Sequence, residues 1–141
     1  MTLVALGPLL FVGSACGSDD DGDGKSGDSG STELDATLSD FKFDPDSWSA
    51  AADEDVTINL TNEGAVAHEW VILQSGVNIT SEADLPETEE ELLADFVLTE
   101  TEVEPGDTQD MVFNVPAGTY QIICAIETHF DAGMEGTLTV E

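Results

Sequence analysis

Near its C-terminal end the chain runs Cys124-Ala-Ile-Glu-Thr-His129-Phe-Asp-Ala-Gly-Met134, which places a thiol, an imidazole and a thioether at intervals of five. A second imidazole, His68, stands far upstream in Ala65-Val-Ala-His68-Glu-Trp-Val-Ile-Leu73. One thiolate and two imidazoles in a trigonal set, with a weak axial thioether, is the donor combination that holds copper in electron-transfer sites. Soft sulfur favours Cu(I), and imidazole suits both oxidation states. A rigid mixture of the two therefore lets the metal cycle with little rearrangement and without an open position for substrate. The chain has two His, two Cys and three Met. The pattern uses both His, the later Cys and one Met.

Singly, a buried Cys, Met or strand His is more often a packing residue than a ligand. Their coincidence at compatible spacing is what carries the metal reading. The motif CxxxxHxxxxM followed by GxLxV (Gly136, Leu138, Val140), with a lone upstream His opening an apolar strand, resembles the cupredoxins. That is the superfamily of plastocyanin and azurin. The resemblance runs from about Phe41 to Glu141 and implies one type 1 copper ion held by His68, Cys124, His129 and Met134. It implies an all-β Greek-key β-sandwich, here with a short helical insertion. It further implies that the amide after the upstream His, that of Glu69, bonds the thiolate. His129 would lie nearest the surface, ringed by Phe130, Ala132 and Ala125, with Glu127 and Asp131 flanking that patch. A Glu69 side chain facing the ion would lower its potential.

Composition narrows the function further. The chain of 141 residues carries 31 acidic side chains against Lys25 and Lys42, a formal charge of -29. Such a surface repels phosphate, which excludes nucleic acid and bare anionic membrane as partners. It suits a salty medium or steers a basic redox partner. A dinuclear copper centre needs two thiolates, and only Cys124 lies in the patterned region. Multicopper oxidases and copper nitrite reductases need more His than the chain has. A Ser-His-Asp or Cys-His catalytic set would have to take His68 or His129 from the metal. The expected protein is not an enzyme. It is a monomeric carrier of single electrons between redox proteins such as a cytochrome or a terminal oxidase. The alternative is a copper carrier or chaperone delivering the metal to an oxidase; a sandwich used only for adhesion would bind no metal.

Three segments follow from the apolar and polar runs. Residues 1–15 read as a secretory signal, since Leu3 to Val12 is ten apolar residues, too short to span a bilayer. Ser14 and Ala15 before Cys16 resemble a lipobox, with Cys16 as the lipidated residue and the membrane reached through that anchor. Gly13 in place of Leu, and the lack of a basic residue before the run, depart from that motif and leave a plain cleaved signal as the other reading. A Cys16–Cys124 disulfide would remove the thiolate from the site. Residues 16–33 are an acidic Gly/Ser/Asp linker with no apolar surface to bury, and fifteen such residues reach roughly 20 Å. The expected location is the extracytoplasmic face of the cell membrane.

Residues 34–141 form the expected domain. Short strands with turn signals are predicted over 34–43, 56–60, 68–73, 97–103, 109–115, 120–124 and 136–140, in antiparallel arrangement because no helices alternate with them. The segment 77–96 departs from a minimal cupredoxin. Pro86 to Phe96 reads as a short helix, its early Glu residues favoured by the helix dipole, with Leu92, Leu93 and Phe96 against the sandwich flank. It is expected to be a solvated insertion with a small apolar foot, or a partner-docking surface.

Overall fold

The computed structural model describes residues 30–141. They form nine strands: β1 (Glu33–Ser39), β2 (Lys42–Asp44), β3 (Ser47–Ala50), β4 (Val56–Asn62), β5 (His68–Leu73), β6 (Val97–Val103), β7 (Thr108–Phe113), β8 (Gly118–Ile123) and β9 (Glu135–Val140). A 3₁₀ turn (Glu82–Asp84) and helix α1 (Glu89–Asp95) lie between β5 and β6. The strands make two sheets, ordered β2-β1-β4-β7 and β3-β9-β8-β5-β6, which pack as a Greek-key β-sandwich.

Alternation places the core. Val56, Ile58, Leu60 and Asn62 of β4 point inward and their neighbours point out. They meet Trp70 and Ile72 of β5, Tyr120 and Ile122 of β8, and Leu138 and Val140 of β9 in one cluster that also holds Cys124 and Met134. The run Trp70-Val-Ile-Leu73 does not alternate because β5 is covered on both faces. Val71, Leu73 and Ile123 turn outward into a second cluster with Ile79, Leu92, Val97 and Phe130. The segment between β5 and β6 supplies that cover.

Helix α1 has seven residues, too few to hold itself in water. The Thr88 hydroxyl caps it by accepting the Glu91 amide at 3.3 Å, and Leu92 anchors it by burial. Burying such a side chain contributes about 1.5–3 kcal/mol. Leu93 is 39 % exposed and takes no part in the anchor.

The strand pattern differs from expectation in four respects. Residues 34–43 do not make one strand: the chain reverses at Asp40-Phe41, and β1 pairs antiparallel with β2. The chain then crosses to the other sheet as β3, which sequence reading missed because Ser47-Trp-Ser-Ala50 is short and offers one large apolar residue. Two pairings are parallel, β1 with β4 and β3 with β9, since each of these strands returns to a sheet after a crossover. Pairing also begins before Leu34, for Ser31 bridges to Ala50. The last residue is stitched to the first described one: Glu141 accepts from Gly30 at 3.4 Å and Ala52 at 3.1 Å, and donates to Ala50 at 2.9 Å.

Candidate metal centre

His68 opens β5, Cys124 follows β8, and the loop to β9 carries His129 and Met134. Because β5 and β8 are adjacent antiparallel strands, the upstream imidazole and the thiol meet at one end of the same sheet. The Cys124 amide donates to the Met134 carbonyl at 3.2 Å, and the Met134 amide donates to the His129 carbonyl at 3.1 Å. Gly133 makes this closure possible with φ at +105°, in the left-handed region open to glycine. All four side chains are buried, His129 being 6 % exposed and the others 0 %.

Among the described residues, His68, Cys124 and His129 bring their donor atoms within 4.8 Å of one another. Nδ1 of His129 lies 3.3 Å from Nδ1 of His68 and 3.3 Å from Sγ of Cys124. Both imidazoles thus turn the same ring nitrogen toward the sulfur. Burial lowers the His68 pKa, with the neighbouring His129 adding to the effect and Asp40 opposing it, which favours the neutral ring that can donate a lone pair. Burial pushes the Cys124 thiol up to about 11, against the lowering effect of the Glu69 and Ile126 amides. A cation among these donors displaces that proton, as coordinated thiols require.

The Glu69 amide donates to Cys124 Sγ at 3.3 Å, the contact expected for the residue after the upstream His. Its side chain lies on the opposite face of the sheet from the His68 ring, beside its cross-strand partner Glu102. Burial, then Glu100 and Glu102, raises its carboxyl to about 7. The carboxylate therefore does not face the donors.

The surroundings of His129 need correction. Phe130 is buried in the second cluster rather than set around the ring. Phe41 takes that place, its ring edge-on to the imidazole at 5.2 Å and 89°. Three further residues were not marked by sequence. Asp40 places Oδ1 3.6 Å from Nε2 of His68 and accepts the Ala65 amide at 2.9 Å. Gly64 fits beneath this pair, where a Cβ would lie 2.7 Å from both atoms. Asn62 spans the loop before His68, donating to the carbonyls of Val66 and Val103 and accepting the Gly64 amide, each at 2.8 Å. Cys16 lies outside the described residues.

A β-sandwich with a buried thiol and two converging imidazoles at one pole defines the cupredoxin class. The family model for the cupredoxin-like domain matches residues 4–140, and the chain belongs to that family. Auracyanin-B of Chloroflexus aurantiacus is 31 % identical over 97 residues, covering 59 % of this chain and 39 % of the relative. The chain thus spans about two-fifths of that relative's length. Among solved structures, dithionite-reduced auracyanin from the photosynthetic bacterium Roseiflexus castenholzii aligns with a TM-score of 0.65 at 23 % identity, covering 79 % of this chain and 98 % of its own. Auracyanin B aligns at 0.63 and 25 %, covering 80 % and 96 %. Auracyanin A, described as a "blue" copper protein of Chloroflexus aurantiacus, aligns at 0.55 and 23 %, covering 76 % and 99 %.

The donors fit the ion this family holds. One sulfur and two nitrogens converge among buried side chains, the set that suits copper, and one copper ion is the cofactor.

Proposed function

We propose that this protein is a type 1 copper protein carrying single electrons between extracytoplasmic redox partners, with His68, Cys124, His129 and Met134 as its ligands. The observation that carries the reading is the convergence of donor atoms of His68, Cys124 and His129 within 4.8 Å, with His129 Nδ1 3.3 Å from both His68 Nδ1 and Cys124 Sγ. Copper, when bound, supplies one-electron chemistry between Cu(I) and Cu(II). The chain's own residues hold the donors in place and keep water out. The Glu69 amide stabilises the thiolate, the Asp40 carboxylate faces the outer nitrogen of His68, and Phe41 shields His129. His129, the least buried ligand, is the exit for the electron.

Burial of all four ligands supports a resident ion over cargo handed to an oxidase, since transfer between proteins needs an exposed donor. No catalytic role is proposed, as both His are committed to the metal. The partners are redox proteins such as a cytochrome or a terminal oxidase, approached by a monomer. We also propose that residues 1–15 are a signal and that Cys16 is lipidated at the outer face of the cell membrane, with the linker after it ending before the expected residue 33, since Ser31 and Glu33 already pair within the electron-carrying domain. Among the described residues no helix is long and apolar enough to cross a membrane.

Titration with Cu(II), followed by ascorbate and reoxidation, tests the reading. The expected result is an intense visible thiolate-to-copper band that bleaches and returns, and that is lost in Cys124→Ser. A band retained in that variant sinks the assignment.

A further inference from the structure

The 77–96 segment is fastened to the metal pole at two places. Gln121 of β8 holds Ile79 by both backbone groups, accepting its N–H at 2.9 Å and donating to its carbonyl at 3.0 Å. Glu82 then grips the ligand loop on both sides of His129. Its side-chain Oε1 accepts the backbone N–H of Thr128, and its backbone N–H donates to Oδ1 of Asp131 at 2.9 Å.

Thr128 immediately precedes His129 and has φ at 73°. A β-branched residue is rarely found there, and the surroundings must compensate for its cost. The platform that carries Glu82 is itself fixed. Ser81 Oγ accepts the Ala83 amide at 3.2 Å, and the Asp84 carboxylate accepts the amides of Thr80 and Ser81 at 2.9 and 3.1 Å. Bringing Glu82 beside Asp131 in a chain of charge -29 is electrostatically unfavourable. The Thr128 N–H on the Glu82 carboxylate and the Glu82 N–H on the Asp131 carboxylate offset that repulsion.

We propose that Glu82 is a positioning residue for His129, and that the insertion braces the ligand loop so that the imidazole keeps its place with or without the ion. This rests on His129 being a ligand, as read above. Preorganised donors rearrange less when the metal changes charge. The insertion is then an internal strut at this end, with its acidic face left to solvent.

The test compares E82Q with E82A. Both remove the same charge, but glutamine keeps an oxygen able to accept the Thr128 amide. In the apo protein, hydrogen exchange of that amide is expected to be about tenfold faster in E82A than in wild type, and near wild type in E82Q. In the loaded protein, extraction of copper by a chelator follows the same order. Equal exchange in all three proteins overturns the proposal. So does equal acceleration in E82Q and E82A, which would assign the effect to charge. Should E82A fail to fold, D131A against D131N makes the same comparison at the other contact, and equal behaviour there overturns the brace. A wild-type protein that binds no copper would refute the electron-carrier reading, while the apo exchange comparison would still decide the strut.

Discussion

Oδ1 of Asp40 stands 3.6 Å from Nε2 of His68, on the ring edge opposite the nitrogen that faces His129. A carboxylate behind a ligand imidazole raises its donor strength and favours the more highly charged metal. Asp40→Asn keeps an oxygen for the Ala65 amide and removes the charge. Copper(II) affinity should fall on the order of tenfold and the reduction potential should rise, read by competition titration and voltammetry. An unchanged potential would show the carboxylate to be electrostatically silent.

Phe41 is 44 % exposed and has φ at 64°. Glycine there relieves about 1 kcal/mol of left-handed strain and loses a ring contact worth about 0.5–1.5 kcal/mol. Phe41→Gly should therefore leave the apo protein within about 1 kcal/mol of wild type in urea unfolding. Copper should nevertheless leave faster to a chelator, because the cover over His129 is gone.

Asn62 is buried and satisfies three backbone groups. Asn62→Ala strands the Val103 carbonyl and loosens the loop leading to His68. The expected cost is about 2–4 kcal/mol, measured by the urea midpoint of the apo protein. A loss below about 0.5 kcal/mol, the size usual for surface changes, would mean that water replaces the side chain.

Met134 is buried beside Cys124 in the main cluster. In the role proposed for it, the thioether would tune the potential without securing the ion. Met134→Leu should keep copper and colour and raise the potential. Loss of copper would show the thioether to be a principal ligand.

Glu100 has its carboxyl raised by burial first, then by Glu89 and Glu102. For an acid with a raised folded pKa, the unfolded chain loses its proton first as pH climbs. Stability then falls with rising pH until the folded pKa is passed. The apo protein should melt at a higher temperature just below that folded pKa than above it, and Glu100→Gln should flatten the slope. An identical slope in the variant would assign the trend to the rest of the surface charge.

The sandwich and the meeting of Cys124 with His129 were legible because each rests on a local signal. Val56-Thr-Ile-Asn-Leu60 alternates, and the spacing of Cys124, His129 and Met134 fits one loop closed at Gly133. What escaped lies in contacts that spacing does not encode. Strand β3 has its inward Trp48 fixed by partners outside the strand: Nε1 donates to the Asp35 carbonyl at 3.1 Å, and the ring meets Trp70 edge-on at 5.5 Å. Phe41 resembles an ordinary strand residue until the reversal at Asp40 swings it over His129. Glu82 was one of many acids, and only folding shows which of them accepts the Thr128 amide while its own amide donates to Asp131. The unbroken run at Trp70–Leu73 did hold a usable clue, since a strand apolar on both faces requires a second cover.

The stitching of Gly30 to Glu141 decides how the domain is presented. Strand β9 leaves the donors at Glu135, opposite Ile123, and ends at Val140 opposite Gly118. Six residues at about 3.3 Å each carry the chain roughly 20 Å. Gly30 therefore lies at the pole away from His129. Anything that held the protein at Gly30 would grip it like a handle, with the donor end pointing outward.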